Sequence, residues 1–266
     1  MCQGNIFLDL RQSLEKMSVF KNYSKYYDLL YQDKDYVGEV DYIINIIKKN
    51  HPLPKSILNL GCGTGKHDFI LAKNGFEITA IDLSQEMIDM AKEKSNPDHI
   101  LFQTGNINTL RLNKKFDVVI SLFHVISYQI TEVDLISTFR TAFEHLNSGG
   151  LFIFDFWYGP AVLTDRPEIK KKCIENEDFK IIRFSEPLMH SSINCVDINF
   201  QLIITEKNQL STFEIAEKHV MRYWFKPEIE YFLKQFGFKV LKAEQWMTEK
   251  NLSFDTWYAC FQVQKL

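Results

Sequence analysis

The stretch Ser56-Ile57-Leu58-Asn59-Leu60-Gly61-Cys62-Gly63-Thr64-Gly65-Lys66 most constrains this chain, because a short apolar run passes through three glycines in five residues into a helix-like segment. Glycine accepts backbone conformations closed to other residues and lets a ligand approach the main chain closely. A strand that enters a helix through such a turn is the opening unit of a parallel α/β sheet with a small molecule at its rim.

The segments around it agree. Apolar residues recur at helical spacing as Val40, Ile43, Ile44, Ile46 and Ile47, and His51-Pro52-Leu53-Pro54 stops that helix. The turn leads into a helix from Lys66 to Asn74, a strand at Phe76 to Asp82 and a helix opened by Ser84. Strands at Ile100 to Gln103 and Phe116 to Leu122, a helix around Glu132 to Leu146 and the strand Leu151 to Phe156 continue the alternation. This predicts a doubly wound, Rossmann-like, mostly parallel seven-stranded sheet. Past Trp157 the pattern changes: Val196, Ile198, Phe200 and Leu202 alternate with Asp197, Asn199 and Gln201, which predicts an inserted antiparallel layer. A helix from Pro227 to Phe236 and strands at Phe238 to Ala243 and Thr256 to Val263 close the chain. The expected organisation is an N-terminal helical lid over 1–40, a nucleotide-binding core over 41–158, an antiparallel insertion over 159–224 and closing core elements over 225–266. Such an insertion suits a substrate cover and also a dimer interface, so a homodimer is one expected assembly.

Composition limits the partners. With 31 Lys plus Arg against 34 Asp plus Glu, the net charge of −3 excludes a polybasic nucleic-acid binder. The longest apolar run, Val118 to Ser127, falls short of the roughly 18 residues that span a bilayer. Met1-Cys2-Gln3-Gly4-Asn5 lacks the charged start of a secretory signal, so a cytoplasmic location is expected. The five cysteines are scattered with no C-x-x-C pair and no spacing suited to zinc, so reduced thiols and no metal are expected.

The glycine turn also sorts its ligands. The dinucleotide fingerprint needs glycine where Lys66 stands, and the phosphate loop needs Ser or Thr where His67 stands. G-x-G-x-G with Asp82 placed 21 residues after Gly61 (82 − 61) resembles motif I of the class I S-adenosylmethionine (SAM) methyltransferases, with its ribose-binding acid. Lys115 to Ser121 and Leu146 to Leu151 resemble that family's fourth-strand motif and its loop into the fifth strand, and the resemblance covers roughly Tyr36 to Asp155. It implies that SAM is held by Tyr27, Asn59, Gly61, Cys62, Gly63, Gly65, Asp82, Leu83, Met87, Asn106, Ile107 and Leu122. Asn59 departs from the pattern: the family usually has an acid there, and an amide loses the charge, which implies looser SAM binding.

A closer resemblance bears on the substrate. Tyr26-Tyr27-Asp28-Leu29-Leu30-Tyr31, Lys34-Asp35-Tyr36, Leu122 to Tyr128 and Asp155 to Pro160 resemble the N,N-dimethyltransferases that act on nucleotide-linked amino sugars such as those of desosamine and mycaminose. The resemblance implies that Tyr31 and Tyr128 orient the acceptor amine, with His124 as a candidate base. Trp157, Tyr158 and Trp257 are expected to wall a sugar or base face. Asp155 replaces that group's glutamate, and Ser253-Phe254-Asp255-Thr256-Trp257 lacks the arginine its members carry for a diphosphate. The tyrosines also read as a packed helix face and His124 as a satisfied core histidine. A small-amine (glycine-like) N-methyltransferase, an O-methyltransferase and a SAM-binding protein without turnover stay open.

Overall fold

The computed structural model describes residues 24–51, 53–94 and 98–266. Part of the expected lid, residues 1–23, therefore lies outside the described residues. Helix α1 (Ser24–Leu30) leads into α2 (Tyr36–Asn50), which starts where the Asp35 carboxylate accepts the Gly38 N–H at 2.8 Å. Then follow β1 (Ser56–Leu60), α3 (Lys66–Lys73), β2 (Glu77–Asp82), α4 (Gln85–Glu93), β3 (Ile100–Thr104), β4 (Phe116–Ser121), α5 (Glu132–His145) and β5 (Leu146–Trp157). Side chains cap the starts of two of these helices, Ser84 accepting from Met87 and Thr131 from Asp134.

The seven-stranded sheet has the order β10-β11-β5-β4-β1-β2-β3, with β1 to β5 parallel and β11 (Tyr258–Lys265) antiparallel to β5 and to β10 (Phe238–Gln245). Because strand side chains alternate between faces and both faces are covered, neighbouring residues of β1 enter different cores. Ile57 packs with Val40, Ile43 and Ile47 of α2 and Ile88 of α4. Leu58 packs with Phe139 of α5, Leu233 of α7 (Lys226–Gln235) and Phe152, Phe154, Phe156 and Phe261. The strand order reverses between β1 and β4, and the carboxyl ends that diverge there carry the glycine turn and Leu122-Phe123-His124. A doubly wound sheet opens a ligand crevice at that point.

The expected antiparallel layer is a second sheet of order β6-β7-β8-β9, formed by Lys170–Glu175, Phe179–His190, Cys195–Glu206 and Ser211–Arg222. A parallel bridge between Tyr158 and Trp224 joins it to the core. Helix α1 falls within the helical segment expected over 1–40, whereas the short α6 (Gly159–Thr164) and β6 escaped the sequence reading. Strand β7 is long and runs through Pro187 to His190. Its neighbour β6 pairs only with Lys180 to Ser185, so beyond Ser185 this side of β7 is an open edge, where a strand proline is tolerated.

Candidate active site

The turn after β1 is shaped by contact. Gly61 has φ +91°, and a Cβ placed there would stand 2.5 Å from Val125 Cγ2, so only glycine lets the loop after β4 close onto it. At Gly63 (φ +56°) a Cβ would meet nothing within 4 Å, which leaves the turn open above its main chain. The Asp82 carboxylate ends β2 beneath it and accepts the N–H of Gly63 at 2.7 Å and of Ser84 at 2.9 Å. Burial pushes the Asp82 carboxyl up, while the amides of Ser84, Gly63 and Leu83 pull it back. A half-buried acid beside an open glycine turn suits a ribose diol, and the donor set fits a nucleoside ligand without phosphates.

Helix α1 is strapped across this turn. Asp28 Oδ1 accepts the Thr64 hydroxyl at 2.6 Å, and Lys94 Nζ reaches Asp28 Oδ2 at 2.7 Å and the Thr64 carbonyl at 2.9 Å. Tyr27 and Tyr31 face the same side, their ring centroids 4.8 Å apart. Of the other residues expected around SAM, Cys62, Met87, Ile107 and Leu122 are buried, whereas Leu83 is exposed. Asn106 is also exposed, and its carboxamide oxygen accepts the Asn108 N–H at 2.9 Å within its own turn.

A cavity of about 320 Å³ opens beside the strap, lined by Tyr31, Asp33, Lys34, Glu39, Phe123, His124, Asp155, Lys172, Trp246 and Tyr258. Phe123 and His124 both take left-handed backbone (φ +63° and +66°), a costly conformation for non-glycine residues that concentrates at functional turns. Asp155, buried at the end of β5, holds the turn by accepting the His124 N–H at 3.1 Å. Its Oδ2 also lies 2.6 Å from His124 Nδ1, off the ideal hydrogen-bond direction, and Tyr258 stacks on the imidazole at 4.3 Å. With Nδ1 facing a carboxylate, Nε2 is the ring's proton acceptor. The cavity is therefore equipped to hold a polar molecule and take a proton from it.

Tyr31 lines the cavity, accepting from Arg183 Nη1 at 3.3 Å, but Tyr128 does not. Tyr128 lies on the short 3-10 turn Val125–Tyr128 and meets β9 instead, its hydroxyl 2.7 Å from His219 Nδ1. Its phenol is pushed well above the ordinary value by burial, with Tyr31, Glu217 and Asp82 adding to the rise. Trp157 and Trp257 cluster with Tyr128, their ring centroids 5.9 Å apart. Tyr158 points the other way because successive strand residues alternate, and it packs into the core under α7. The structure therefore separates it from the aromatic wall expected of it. Asp155, Lys34, Glu39, Lys172, Trp246 and Tyr258 were missed as cavity residues. For Asp155 the signal was present, as a buried acid two positions before Trp157 at the carboxyl end of a strand.

Comparison with known proteins agrees with this geometry. Residues 57–150 match the methyltransferase-domain family model. The dTDP-3-amino-3,4,6-trideoxy-alpha-D-glucopyranose N,N-dimethyltransferase of Streptomyces venezuelae is 25% identical over 216 residues, 80% of this chain and 89% of the relative. The crystal structure of a SAM-dependent methyltransferase from Clostridium acetobutylicum superimposes with a TM-score of 0.78 at 24% identity, covering 92% of this chain and 98% of the other. The SAM-bound structure of CalS10, an amino pentose methyltransferase from Micromonospora echinaspora, gives 0.74 at 18% identity over 93% and 98%. Residues 57–150 therefore carry a methyltransferase domain, its glycine turn and acid placed as in the class I SAM-dependent enzymes, and over most of its length the chain resembles the amino-sugar N,N-dimethyltransferases.

Proposed function

We propose that the enzyme methylates the amino group of a nucleotide-linked amino sugar. The contact between His124 and Asp155 inside the cavity carries this reading. SAM supplies a methyl group activated on a sulfonium, so the protein has to align the acceptor lone pair about 3 Å from that carbon and keep it unprotonated. An amine arriving as an ammonium gives one proton to His124 Nε2, and the imidazolium that forms is held by Asp155. The nitrogen lone pair then forms the N–C bond as the C–S bond breaks, and the sulfur keeps the bonding pair.

The aromatic groups Tyr31, Phe123 and Tyr258 with Trp246 suit a sugar face, and Tyr31 orients the amine by hydrogen bonding. Tyr128 stands outside the cavity, packed in a hydrophobic cluster with Trp157 and Trp257, and acts through the loop that carries His124. Lys172 of β6 lines the cavity, its Nζ donating to the Leu30 carbonyl at 2.7 Å, and it is the cation offered to the diphosphate in place of the arginine that the last hairpin lacks. The dTDP-amino-sugar relative supports the nucleotide-linked acceptor, and the antiparallel sheet, which reaches Tyr31 and Tyr128, serves as its cover.

Mass spectrometry of reactions with SAM and a panel of dTDP-amino sugars, simple amines and hydroxylated analogues tests the proposal. One or two methyl additions on an amino sugar are expected, and His124→Asn is expected to lower turnover by about 100-fold or more. Methylation of hydroxyls alone, or of glycine-like amines in preference to amino sugars, would overturn it.

A further inference from the structure

The acid that the methyltransferase resemblance places at residue 59 has a counterpart nine positions later. The Asn59 side chain lies between β1 and the first turn of α3, and its Nδ2 donates to both carboxylate oxygens of Asp68 at 2.9 and 3.1 Å. Both residues are buried, Asp68 completely. An ionised carboxylate can only accept, so this two-pronged contact fixes the amide with its NH2 toward Asp68 and its oxygen turned away. That oxygen is buried and has no hydrogen-bond partner among the described residues. No ion pair reaches Asp68 among the described residues either, so a negative charge and an unused acceptor sit together two residues before Gly61.

We propose that Asn59 and Asp68 act as one unit that receives the ammonium group of SAM's methionine moiety. The ammonium N–H, or a water it holds, donates to Asn59 Oδ1, and the Asp68 carboxylate behind the amide polarises it and supplies the compensating charge. The charge that appears lost at Asn59 is thus displaced to Asp68 rather than absent. Asp68 does not touch the ligand and is a positioning residue.

The surroundings make the arrangement sensitive to pH. Burial pushes the Asp68 carboxyl up to about 6, partly countered by Asn59 and His67, while Asp82 at the end of β2 adds to the rise. Cys62 faces it from the glycine turn as a neutral thiol, itself raised by burial and by Asp68 and Asp82, and His67 is held by Glu39 of α2. Bound ammonium favours the ionised carboxylate, so affinity falls as pH drops through about 6.

Titration calorimetry with two ligands tests this without any methyl acceptor, so the outcome is independent of the amino-sugar reading. SAM carries the ammonium, whereas 5′-methylthioadenosine keeps the nucleoside and lacks the amino acid. Asp68→Asn is expected to weaken SAM by about tenfold and leave methylthioadenosine unchanged, which also reports that the variant is folded. The exchange Asn59→Asp with Asp68→Asn is expected to restore SAM to within about threefold of wild type. Wild-type affinity for SAM should fall between pH 7.5 and 5, and that of Asp68→Asn should stay flat. Equal weakening of both ligands, no weakening of SAM, or no recovery in the exchanged pair would overturn the proposal.

Discussion

The Tyr128 hydroxyl lies 2.7 Å from His219 Nδ1 although 91 positions separate them, and this contact, with the Arg222 guanidinium donating to the Ile130 carbonyl at 3.2 Å, fastens the loop after β4 to the antiparallel sheet. His219 Nε2 faces Glu217 Oε2 at 3.3 Å, which keeps the ring proton on Nε2 and makes Nδ1 the acceptor of the phenol proton. Phe200 meets the same imidazole edge-on, at 4.8 Å between centroids. Tyr128 is thereby held as a neutral phenol whose oxygen accepts.

We predict that His219→Phe lowers kcat by about tenfold and leaves SAM affinity unchanged, because it frees the phenol without touching the glycine turn. Tyr128→Phe should match it, and the double variant should be no worse than either single one. Steady-state kinetics with calorimetric SAM titration makes the check; additive losses would mean that the two residues act separately.

The strap over the turn gives a second prediction. Asp28 binds Thr64 and Lys94 at once, and both partners belong to the cofactor side of the fold. Asp28→Ala should remove about 1–2 kcal/mol of SAM affinity, expressed as faster dissociation. Stopped-flow displacement of SAM measures this, and an unchanged off-rate would show that α1 does not retain the ligand.

Gly61 offers a third. Gly61→Ala would place a Cβ against Val125 and force a side chain into φ +91°, and the two effects together should cost about 2–4 kcal/mol of stability. Adding Val125→Ala should recover the clash but not the backbone strain. Thermal unfolding of both variants separates the two parts, and full recovery in the double variant would exclude the backbone effect.

How much could be read from the chain alone follows from the range of each interaction. The glycine turn, Asp82 and the parallel strands were legible because local spacing encodes them. Strand β6 was not: Lys170-Lys171-Lys172 reads as a solvated charge run, and it is a lysine-protected sheet edge. The cavity was hidden for another reason. Lys34, Asp155 and Trp246 belong to three distant segments, so only the fold reveals that they meet. Tyr158 was misplaced because adjacency in sequence does not put two residues on the same face of a strand.

The last prediction concerns two buried carboxyls with opposite effects on stability. Burial pushes the Glu39 carboxyl up, but hydrogen bonding and charge from His67 and Lys34 overcome this and hold it at about 2 against an ordinary 4.5. A group held more acidic in the fold stabilises it above pH 4.5, by about 3 kcal/mol here, and that stability is lost as pH falls toward 2. Asp68 has the reverse sign. Its carboxyl rises from 3.8 to about 6, so the folded state binds the proton more tightly, and the charged form costs the ligand-free fold about 3 kcal/mol above pH 6 and nothing below pH 3.8. At pH 7.5 Glu39→Gln should therefore lower the unfolding free energy by about 2–3 kcal/mol, and Asp68→Asn should raise it even as it weakens SAM. Urea unfolding without ligand at pH 7.5 and pH 4 makes the test. The gain from Asp68→Asn should nearly vanish at pH 4, while most of the loss from Glu39→Gln should persist. A gain of equal size at both pH values would mean that the Asp68 charge is not what strains the ligand-free enzyme.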